Sequence, residues 1–350
     1  MSYVTHNEET QYMLEQMKAV LAADSPTGYT RHAAALVYHA FEALGFAPQY
    51  TNKGGVLVRL SEGESSESSN GILLEAHLDT LGAMVVQVKD NGRLRVTPLG
   101  GMNANNAETE NVYVVTRSEK VLEGTLQMKN ASVHVNGEYN KTERSWDNLE
   151  VVLDEEAYTK AETEKLGIMT GDIVCFDPRT RVTTSGYIKS RFLDDKLSVA
   201  ILLGYARHLS QGAKTKRPVH CHITVFEEVG HGGSASFPEG VSEVLSVDMG
   251  CVGEGLACRE TQVSICAKDS GGPYHYDVVS GLIEAAKREN VDFAVDVYPF
   301  YGSDAEAGLR AGHDVRHGLI GAGVYASHGY ERSHVKGMEN TLKLLKAYLG

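Results

Sequence analysis

The stretch GILLEAHLDTLGAMVVQVKDNGRLRVTPLGG, residues 71–101, decides the fold. Its first part, GILLEA, is a mainly apolar run of the kind that forms a buried strand, and polar residues follow it directly. From about Leu81 the pattern changes to short alternating segments separated by Gly, Asn and Asp, which predict β-strands joined by turns. This one stretch therefore contains the boundary between two kinds of structure.

The second kind of structure continues to about residue 185 in the segments RLRVT, NVYVVT, TLQMK, SVHVN and DIVCF. Helical patterns lie on both sides of it, at residues 12–22, 31–44, 198–208, 276–289 and 340–349. Apolar strands such as VHCHITVF and EVLSVDMG alternate with the later helices. We predict an α/β domain formed by residues 1–80 and 186–350, with an all-β domain, residues 81–185, inserted into it. The polar stretch at 61–71 is predicted to be an exposed loop.

Composition excludes several classes of partner. The net charge of −13 and the pI near 5.5 repel phosphate backbones and anionic lipid, so we expect neither nucleic acid nor a membrane as a partner. The sequence contains no apolar run of membrane-spanning length and no export signal at its N-terminus. Its five cysteines form an odd set without C-x-x-C spacing, which favours free thiols and a cytoplasmic location.

Ionisable side chains recur where apolar strands end. His77 and Asp79 follow ILLEA, and residues two apart on a strand point to the same side. Glu227 and Glu228 end the apolar strand ITVF, and Asp248 ends EVLSV. Taken singly, each is as readily explained by a solvated strand end.

A further acidic pair, Asp194-Asp195, precedes the helical pattern LSVAILLGYARH. One of the two acids is readily explained as a helix cap, which leaves the other free. Because the carboxyl ends of strands in an open α/β sheet form the ligand-binding crevice, the shared position of all these groups favours one metal site. Two carboxylates side by side suit metal-assisted hydrolysis, where one binds the metal and the other accepts a proton from water.

A site of this kind also needs a second histidine, and spacing alone does not choose it. The downstream candidates are His275, His313, His317, His328 and His334. His220 and His222 lie in the middle of a predicted strand and are interpreted as structural, and His231 is left undecided.

The chain also resembles the tetrahedral, or deblocking, family of dinuclear metallo-aminopeptidases, which includes glutamyl aminopeptidases. AHLDTLGAMV is similar to the family's AHMDEIGFMV, KSRFLDDK to KALDDR, and TVFEEVGHGG to TVQEEVGLRG. SVDMG, YGSDAEA and SHGYE are similar to its AIDV, GGTDAGA and HSPVE segments, in the same order. The resemblance covers nearly the whole chain.

The resemblance implies a set of roles. His77 and Asp248 would bind one divalent metal ion, Glu228 and His328 the other, and Asp194 would bridge the two. Asp79 would orient His77, and Glu227 would be the general base. The bond between Asp194 and Asp195 would be cis. The metals would be zinc, cobalt or manganese, with zinc favoured, because His, Asp and Glu ligands suit all three.

The resemblance also implies a zinc-aminopeptidase-like α/β catalytic domain with a mixed sheet and an inserted β-barrel. It further implies a homo-oligomer built from dimers, with a hollow dodecamer as its full form, acting on peptides or small amides. The expected reaction is hydrolysis of the N-terminal peptide bond by water that two metals activate.

Two segments depart from the family pattern. GVYASHGYERSH differs from the usual segment around the last ligand, and Glu306 replaces a glycine. The altered segment is similar to a subgroup associated with the osmolyte N-acetylglutaminylglutamine amide. An amidohydrolase or deacylase acting on an acylated or amidated dipeptide is therefore an alternative, and so is a non-catalytic scaffold. Asp304 is a candidate for substrate binding or, equally, for capping a loop.

Overall fold

A computed structural model describes residues 7–64 and 70–350. The α-helices in these ranges are α1 (Glu8–Leu21), α2 (Arg31–Ala43), α3 (Ala104–Ala107), α4 (Lys160–Lys165), α5 (Leu193–Ser210), α6 (Tyr276–Arg288), α7 (Asp304–Arg310) and α8 (Val335–Leu349). All five helices predicted from periodicity are present, and α1, α5 and α8 begin earlier than predicted. The centre of the predicted loop at 61–71, residues 65–69, lies outside the described residues. No helix in the two described ranges is long and apolar enough to span a membrane.

Twelve strands of the described chain form one sheet. They are β1 (Gln49–Tyr50), β2 (Val56–Ser61), β3 (Gly71–His77), β10 (Arg181–Val182), β11 (Tyr187–Ser190), β12 (Val219–Thr224), β13 (Val241–Val247), β14 (Gly250–Val252), β15 (Val263–Lys268), β16 (Phe293–Val297), β17 (Arg316–Tyr325) and β18 (Glu331–His334). The main path is β1-β2-β12-β3-β13-β17-β18-β11-β10, with β14 and β15 paired to β17, and β16 to β15. Parallel and antiparallel pairs both occur, so the predicted mixed sheet is confirmed.

The centre of the sheet fixes where the functional side chains meet. Strands β12, β3, β13 and β17 run parallel to one another there. β3 is buried at every residue, as expected of a parallel strand covered on both faces. Helix α5 is buried along most of its length and packs against β3, α1 and α8. The carboxyl ends of the parallel strands therefore meet at one edge of the sheet.

The inserted domain is a closed antiparallel barrel. Its strands are β4 (Gly82–Val88), β5 (Leu94–Leu99), β6 (Asn111–Val115), β7 (Val121–Met128), β8 (Leu149–Leu153) and β9 (Ile173–Phe176), in the spatial order β4-β5-β8-β7-β6-β9. In β7 buried residues alternate with more exposed ones, because one side of a barrel strand faces the interior. The barrel lies between β3 and β10 in the chain, which confirms the predicted insertion. The exact limits, 81 and 185, stay a prediction.

One predicted strand is wrong. SVHVN, residues 132–136, forms turns in the connection between β7 and β8. Val133 and Val135 are 60% and 74% exposed. Alternating apolar residues form a strand only where a neighbouring strand pairs with the backbone and a core covers one face, and this connection has neither.

Candidate metal centre

The site is built where β3, β12 and β13 end and where α5 begins. His77 is the last residue of β3, and Asp248 directly follows β13. After β12 the chain forms a short 3₁₀ turn, Glu227–Val229, that carries both glutamates. Asp194 is the second residue of α5. The topology thus brings together residues that lie far apart in the sequence.

His77 is held at both ring nitrogens. Its Nε2 lies 3.0 Å from Oδ1 of Asp194, and its Nδ1 lies 2.9 Å from the backbone oxygen of Asp79. The Asp79 carboxylate is farther from the ring, with Oδ1 3.8 Å from Nδ1. That carboxylate accepts hydrogen bonds from the Thr27 hydroxyl at 2.7 Å and from the Glu227 backbone N–H at 3.1 Å. Asp79 therefore contacts both the histidine and the turn that carries the predicted base.

The start of α5 has an unusual backbone. The Asp194–Asp195 peptide bond is cis, as the resemblance implied, and Phe192 before it has a left-handed φ of 67°. Asp195 accepts a hydrogen bond from the His77 backbone N–H at 3.1 Å. Its other oxygen has no hydrogen-bond partner among the described residues. Both acids of the pair therefore face the same cluster, whereas one of them was expected to be only a helix cap.

The two glutamates face different neighbours. Oε2 of Glu227 lies 3.8 Å from Nε2 of His77, and Oε2 of Glu228 lies 3.6 Å from Nε2 of His328. Nε2 of His328 is also 3.6 Å from Oδ2 of Asp194. Asp194 thus lies between the two histidines, which is the position that a bridging carboxylate needs.

Among the downstream histidines, the structure brings His328 to the cluster. His334 instead caps α8, with Nδ1 accepting a hydrogen bond from the Lys336 backbone N–H at 3.0 Å. The remaining candidates lie in other environments: His275 precedes α6, His313 stacks on Phe237, and His317 packs on Tyr274. His222 lies in β12 beside Glu75, which agrees with its interpretation as structural, and the ring of His231 stacks on Phe226.

Without bound cations, burial makes the ionised state of the carboxylates in this cluster energetically unfavourable. It raises the pKa of Glu227 and Glu228 well above their ordinary values, and that of Asp248 to about 7. Asp194 differs: burial opposes its ionisation, but the hydrogen bond with His77 and the charges of His77 and His328 together outweigh burial and lower its pKa. Buried carboxylates are stable only when cations or hydrogen bonds compensate their charge. The cluster therefore has the electrostatics of a cation site.

The side chains present fit divalent metals. Ligand-type atoms of His77, Asp194 and Glu228 lie within 4.8 Å of one another, and so do those of His77, Asp195 and Asp248. Such separations suit a shared ion with bonds of about 2.0–2.2 Å to nitrogen and oxygen. His77 belongs to both groups, so the two sets of ligands are adjacent.

A cleft of about 460 Å³ opens onto the cluster. It is lined by the proposed ligands Asp194, Glu228, Asp248 and His328, by Glu227, and by Asp304 at the start of α7. Asp304 is buried, and its carboxylate accepts hydrogen bonds from the Thr224 hydroxyl and from the Gly233 backbone N–H. Burial raises its pKa to about 6. Asp304 is thus both a cleft residue and an acceptor for the neighbouring loop.

One buried carboxylate was missed from the sequence. Glu331 accepts hydrogen bonds from the backbone N–H of Asp194 at 3.1 Å and from that of His328 at 3.2 Å. It is 2% exposed. A signal was present, because Glu331 is the last residue of the segment SHGYE, whose likeness to the family pattern pointed only to the histidine.

The fold and the ligand cluster are those of a metallo-aminopeptidase. The family model described as M42 glutamyl aminopeptidase matches residues 54–344. Over 337 residues the chain is 41% identical to the protein named "Putative aminopeptidase YhfE" of Bacillus subtilis (strain 168), covering 96% of each chain. The chain belongs to the M42 glutamyl aminopeptidase family.

Solved structures agree on the fold. The aminopeptidase APDkam598 of the archaeon Desulfurococcus kamchatkensis superposes with a TM-score of 0.87 at 24% identity, covering 98% of this chain and 95% of its own. PhTET1-12s, described as a dodecamer, superposes with a TM-score of 0.83 at 22% identity, covering 96% of this chain and 98% of its own. The predicted fold class is confirmed. The chain is a metal-dependent aminopeptidase, a hydrolase of peptide bonds, as the sequence predicted.

Proposed function

We propose that the enzyme uses two divalent metal ions, held by the five residues that the sequence singled out. His77 and Asp248 bind one ion, Glu228 and His328 bind the other, and Asp194 bridges them. The observation that carries this proposal is the position of Asp194, whose two carboxylate oxygens face different histidines at 3.0 Å and 3.6 Å. Asp195 lies close enough to His77 and Asp248 to join the first set.

When bound, the metals supply Lewis acidity, which lowers the pKa of water and polarises the scissile carbonyl. Glu227 is the general base. Among the described residues, no side chain or backbone N–H donates a hydrogen bond to its carboxylate, which leaves both oxygens free to accept a proton from water. Glu227 then returns this proton to the leaving amine. Asp79 fixes the Glu227 backbone at 3.1 Å and keeps its side chain directed at the cleft.

The Asp304 carboxylate is proposed to bind the charged N-terminus of the substrate. It lines the same cleft as Glu227 and Glu228. Each of its oxygens already accepts one hydrogen bond, and a carboxylate oxygen accepts two, so an ammonium group can still bind. A free amino terminus next to the reacting carbonyl is what distinguishes an aminopeptidase substrate from an internal peptide bond.

The metals are proposed to be zinc, with cobalt or manganese as substitutes, because nitrogen and carboxylate ligands accept all three. The assembly is proposed to be a homo-oligomer built from dimers, up to a dodecamer, which the likeness to PhTET1-12s supports. All five cysteines are unpaired, which supports the reducing cytoplasm as the location.

There are two alternative functions. One is hydrolysis of a different substrate, and the other is a non-catalytic scaffold. The subgroup associated with N-acetylglutaminylglutamine amide is supported by the altered segment around His328, and such an enzyme would act on blocked or amidated dipeptides. A scaffold without metals would have no need for a buried cluster of acids, so the cluster argues against it.

The test is elemental analysis of the purified protein, paired with amine release from free-N-terminal and N-blocked substrates before and after chelation. About two metals per chain, with chelator-sensitive cleavage of free N-termini, is the expected result. Cleavage of blocked or amidated dipeptides alone would favour the osmolyte-linked hydrolase. Absence of both metal and cleavage would favour the scaffold.

A further inference from the structure

Two glycines of the inserted domain lie against side chains of the metal-ligand cluster. Gly100 and Gly101 directly follow β5. The backbone oxygen of Gly101 lies 3.2 Å from Nδ1 of His328. A Cβ atom at position 101 would lie 2.9 Å from that nitrogen, and one at position 100 would lie 3.3 Å from Cβ of Glu228. Two barrel residues therefore touch the two proposed ligands of the second metal.

A buried arginine forms bonds both to the inserted domain and to the loop that carries His328. Arg191, 2% exposed, donates to the backbone oxygen of Gly329 at 3.3 Å and to that of Asn106 in the barrel. It also lies 3.2 Å from the carboxylate of Glu110, which belongs to the barrel as well. The Asn106 side chain in turn donates to the His328 backbone oxygen at 3.4 Å. The loop that carries His328 is thus bound to the inserted domain both through the His328 ring and through its backbone.

The other proposed metal position has different neighbours. The His77 ring contacts Asp79, Asp194 and Glu227, all of the catalytic domain. Asp248 bonds to Met249 and, through its backbone, to Ile320 and Ser198. Among the described residues, each hydrogen bond of these two ligands is made within the catalytic domain. The two halves of the centre therefore depend on different parts of the fold.

We propose that the inserted barrel positions Glu228 and His328, so that binding of the second metal, and not of the first, depends on the contact made by Gly101. Nδ1–H of His328 donates to the Gly101 backbone oxygen, which fixes the tautomer and leaves Nε2 to bind metal. This inference rests on the proposed two-metal function. Gly101 and Arg191 are positioning residues, since they act through His328.

The first test is G101A in the full chain, with G137A as the matched control. Gly101 has no positive φ, so alanine disturbs only the contact with His328. Gly137, in the connection between β7 and β8, also lacks a positive φ, and a Cβ atom added there would have no neighbour within 4 Å. Metal-free protein is titrated with Co²⁺ and followed by its visible absorption and by calorimetry. This readout requires no catalysis.

We expect wild type and G137A to bind two Co²⁺ ions. We expect G101A to bind the first ion as wild type does and the second about 10–100-fold more weakly, because the added methyl group displaces the His328 ring from the carbonyl that orients it, and loss of such an orienting contact usually costs this much. Unchanged affinity for both ions in G101A would overturn the inference, and so would equal weakening of both.

A second pair of variants, R191M and R217M, distinguishes loss of the proposed positioning contacts from a general loss of stability. Arg217 likewise pairs with a buried carboxylate, that of Glu243, but none of its contacts reaches the cluster. The inference requires R191M to weaken the second ion selectively and R217M to leave both unchanged. Wild type that binds two ions without cleaving peptides would contradict the proposed reaction alone. Wild type that binds fewer than two would contradict both proposals.

Discussion

Glu227 and Glu228 are adjacent in the chain but have separate environments. Glu228 lies 3.6 Å from His328, whereas Glu227 lies 3.8 Å from His77 and has its backbone N–H tied to Asp79. A short 3₁₀ turn points neighbouring side chains in different directions, so Glu228 faces the proposed position of the second metal while Glu227 faces His77, where the proposed base would act. Two adjacent identical residues thus acquire different roles.

Replacing Glu227 by Gln should separate catalysis from metal binding. The amide cannot accept the proton, so we expect kcat to fall by at least about a hundredfold, the scale typical of general-base loss. Metal content measured by elemental analysis should stay at the wild-type value. E228Q is the matched control, because it should lose metal as well as activity. Full activity in E227Q would contradict the role of the base.

Strand β3 also carries a buried acid that is not among the proposed metal ligands. Glu75 is fully buried, with one oxygen 3.3 Å from Nδ1 of His222 and the other unpaired among the described residues. Burial raises its pKa from 4.5 to about 8 and lowers that of His222 to about 4. Both groups are therefore neutral in the folded protein at pH 7.

E75Q should change how stability depends on pH. Glu75 stays protonated in the folded state but ionises near pH 4.5 when unfolded, so its contribution is complete below pH 4.5 and is lost as pH rises towards 8. Between these values the wild-type free energy of unfolding should fall, relative to E75Q, by up to about 1.4 kcal/mol per pH unit. Urea unfolding of the metal-free proteins from pH 5 to 8 measures this.

E150Q is the control of opposite sign. Burial opposes ionisation of Glu150, but Lys89 and Arg93 outweigh burial and lower its pKa. The stabilisation by the ionised Glu150 carboxylate is therefore present at neutral pH and is lost only as the pH falls below the ordinary pKa of a glutamate. E150Q should lower stability by a constant amount from pH 5 to 8. Parallel pH profiles of wild type and E75Q would contradict the neutral state of Glu75.

Sequence patterns predicted the elements whose signal is local. The apolar run ending at His77, the acidic pairs and the long helices could all be found, because strand ends and helical periodicity are visible in a short window. The strand predicted at SVHVN failed because pairing depends on distant neighbours. Helix α7, of seven residues, is too short to show periodicity, so Asp304 was as readily explained as a loop cap.

The parts of the site that escaped prediction depend on long-range contacts. Glu331 bonds to Asp194 and Arg191 to Gly329, each more than a hundred positions away, and apart from the family-like segment SHGYE nothing beside them in the sequence indicates these contacts. The choice among five histidines was likewise open from spacing. The resemblance pointed to His328, and the contacts with Asp194 and Glu228 support that choice.

At the scale of the whole molecule, metal removal should lower thermal stability. An ion that binds only the folded state stabilises it by about 4.1 kcal/mol when its free concentration is about 1,000 times Kd. We expect calorimetry to show a lower Tm after chelation and recovery after zinc is restored. E227Q should shift as wild type does, whereas H77A, which keeps the residues proposed for the second ion, should show a smaller shift. An identical Tm in the chelated and loaded wild type would contradict the metal centre.

The proposed assembly predicts a definite mass. Twelve chains of 38.0 kDa give about 456 kDa, and a dimer gives about 76 kDa. Light scattering coupled to size-exclusion chromatography should find the larger particle, in equilibrium with the smaller one as protein concentration falls. A single species of 38.0 kDa at all concentrations would contradict the oligomer.

The contact between His77 and Asp194 joins residues that are 117 positions apart, and the entire barrel lies between them in the chain. An ion shared by these two side chains would act as a cross-link that closes this long segment into a ring. Closing a loop of roughly 100 residues costs chain entropy equivalent to about 4.7 kcal/mol on the scale derived for disulfides, and binding of the ion by the folded chain would offset part of that cost. The barrel supplies none of the proposed ligands. Binding of the ion in the catalytic domain would nevertheless stabilise the closed segment that contains the barrel.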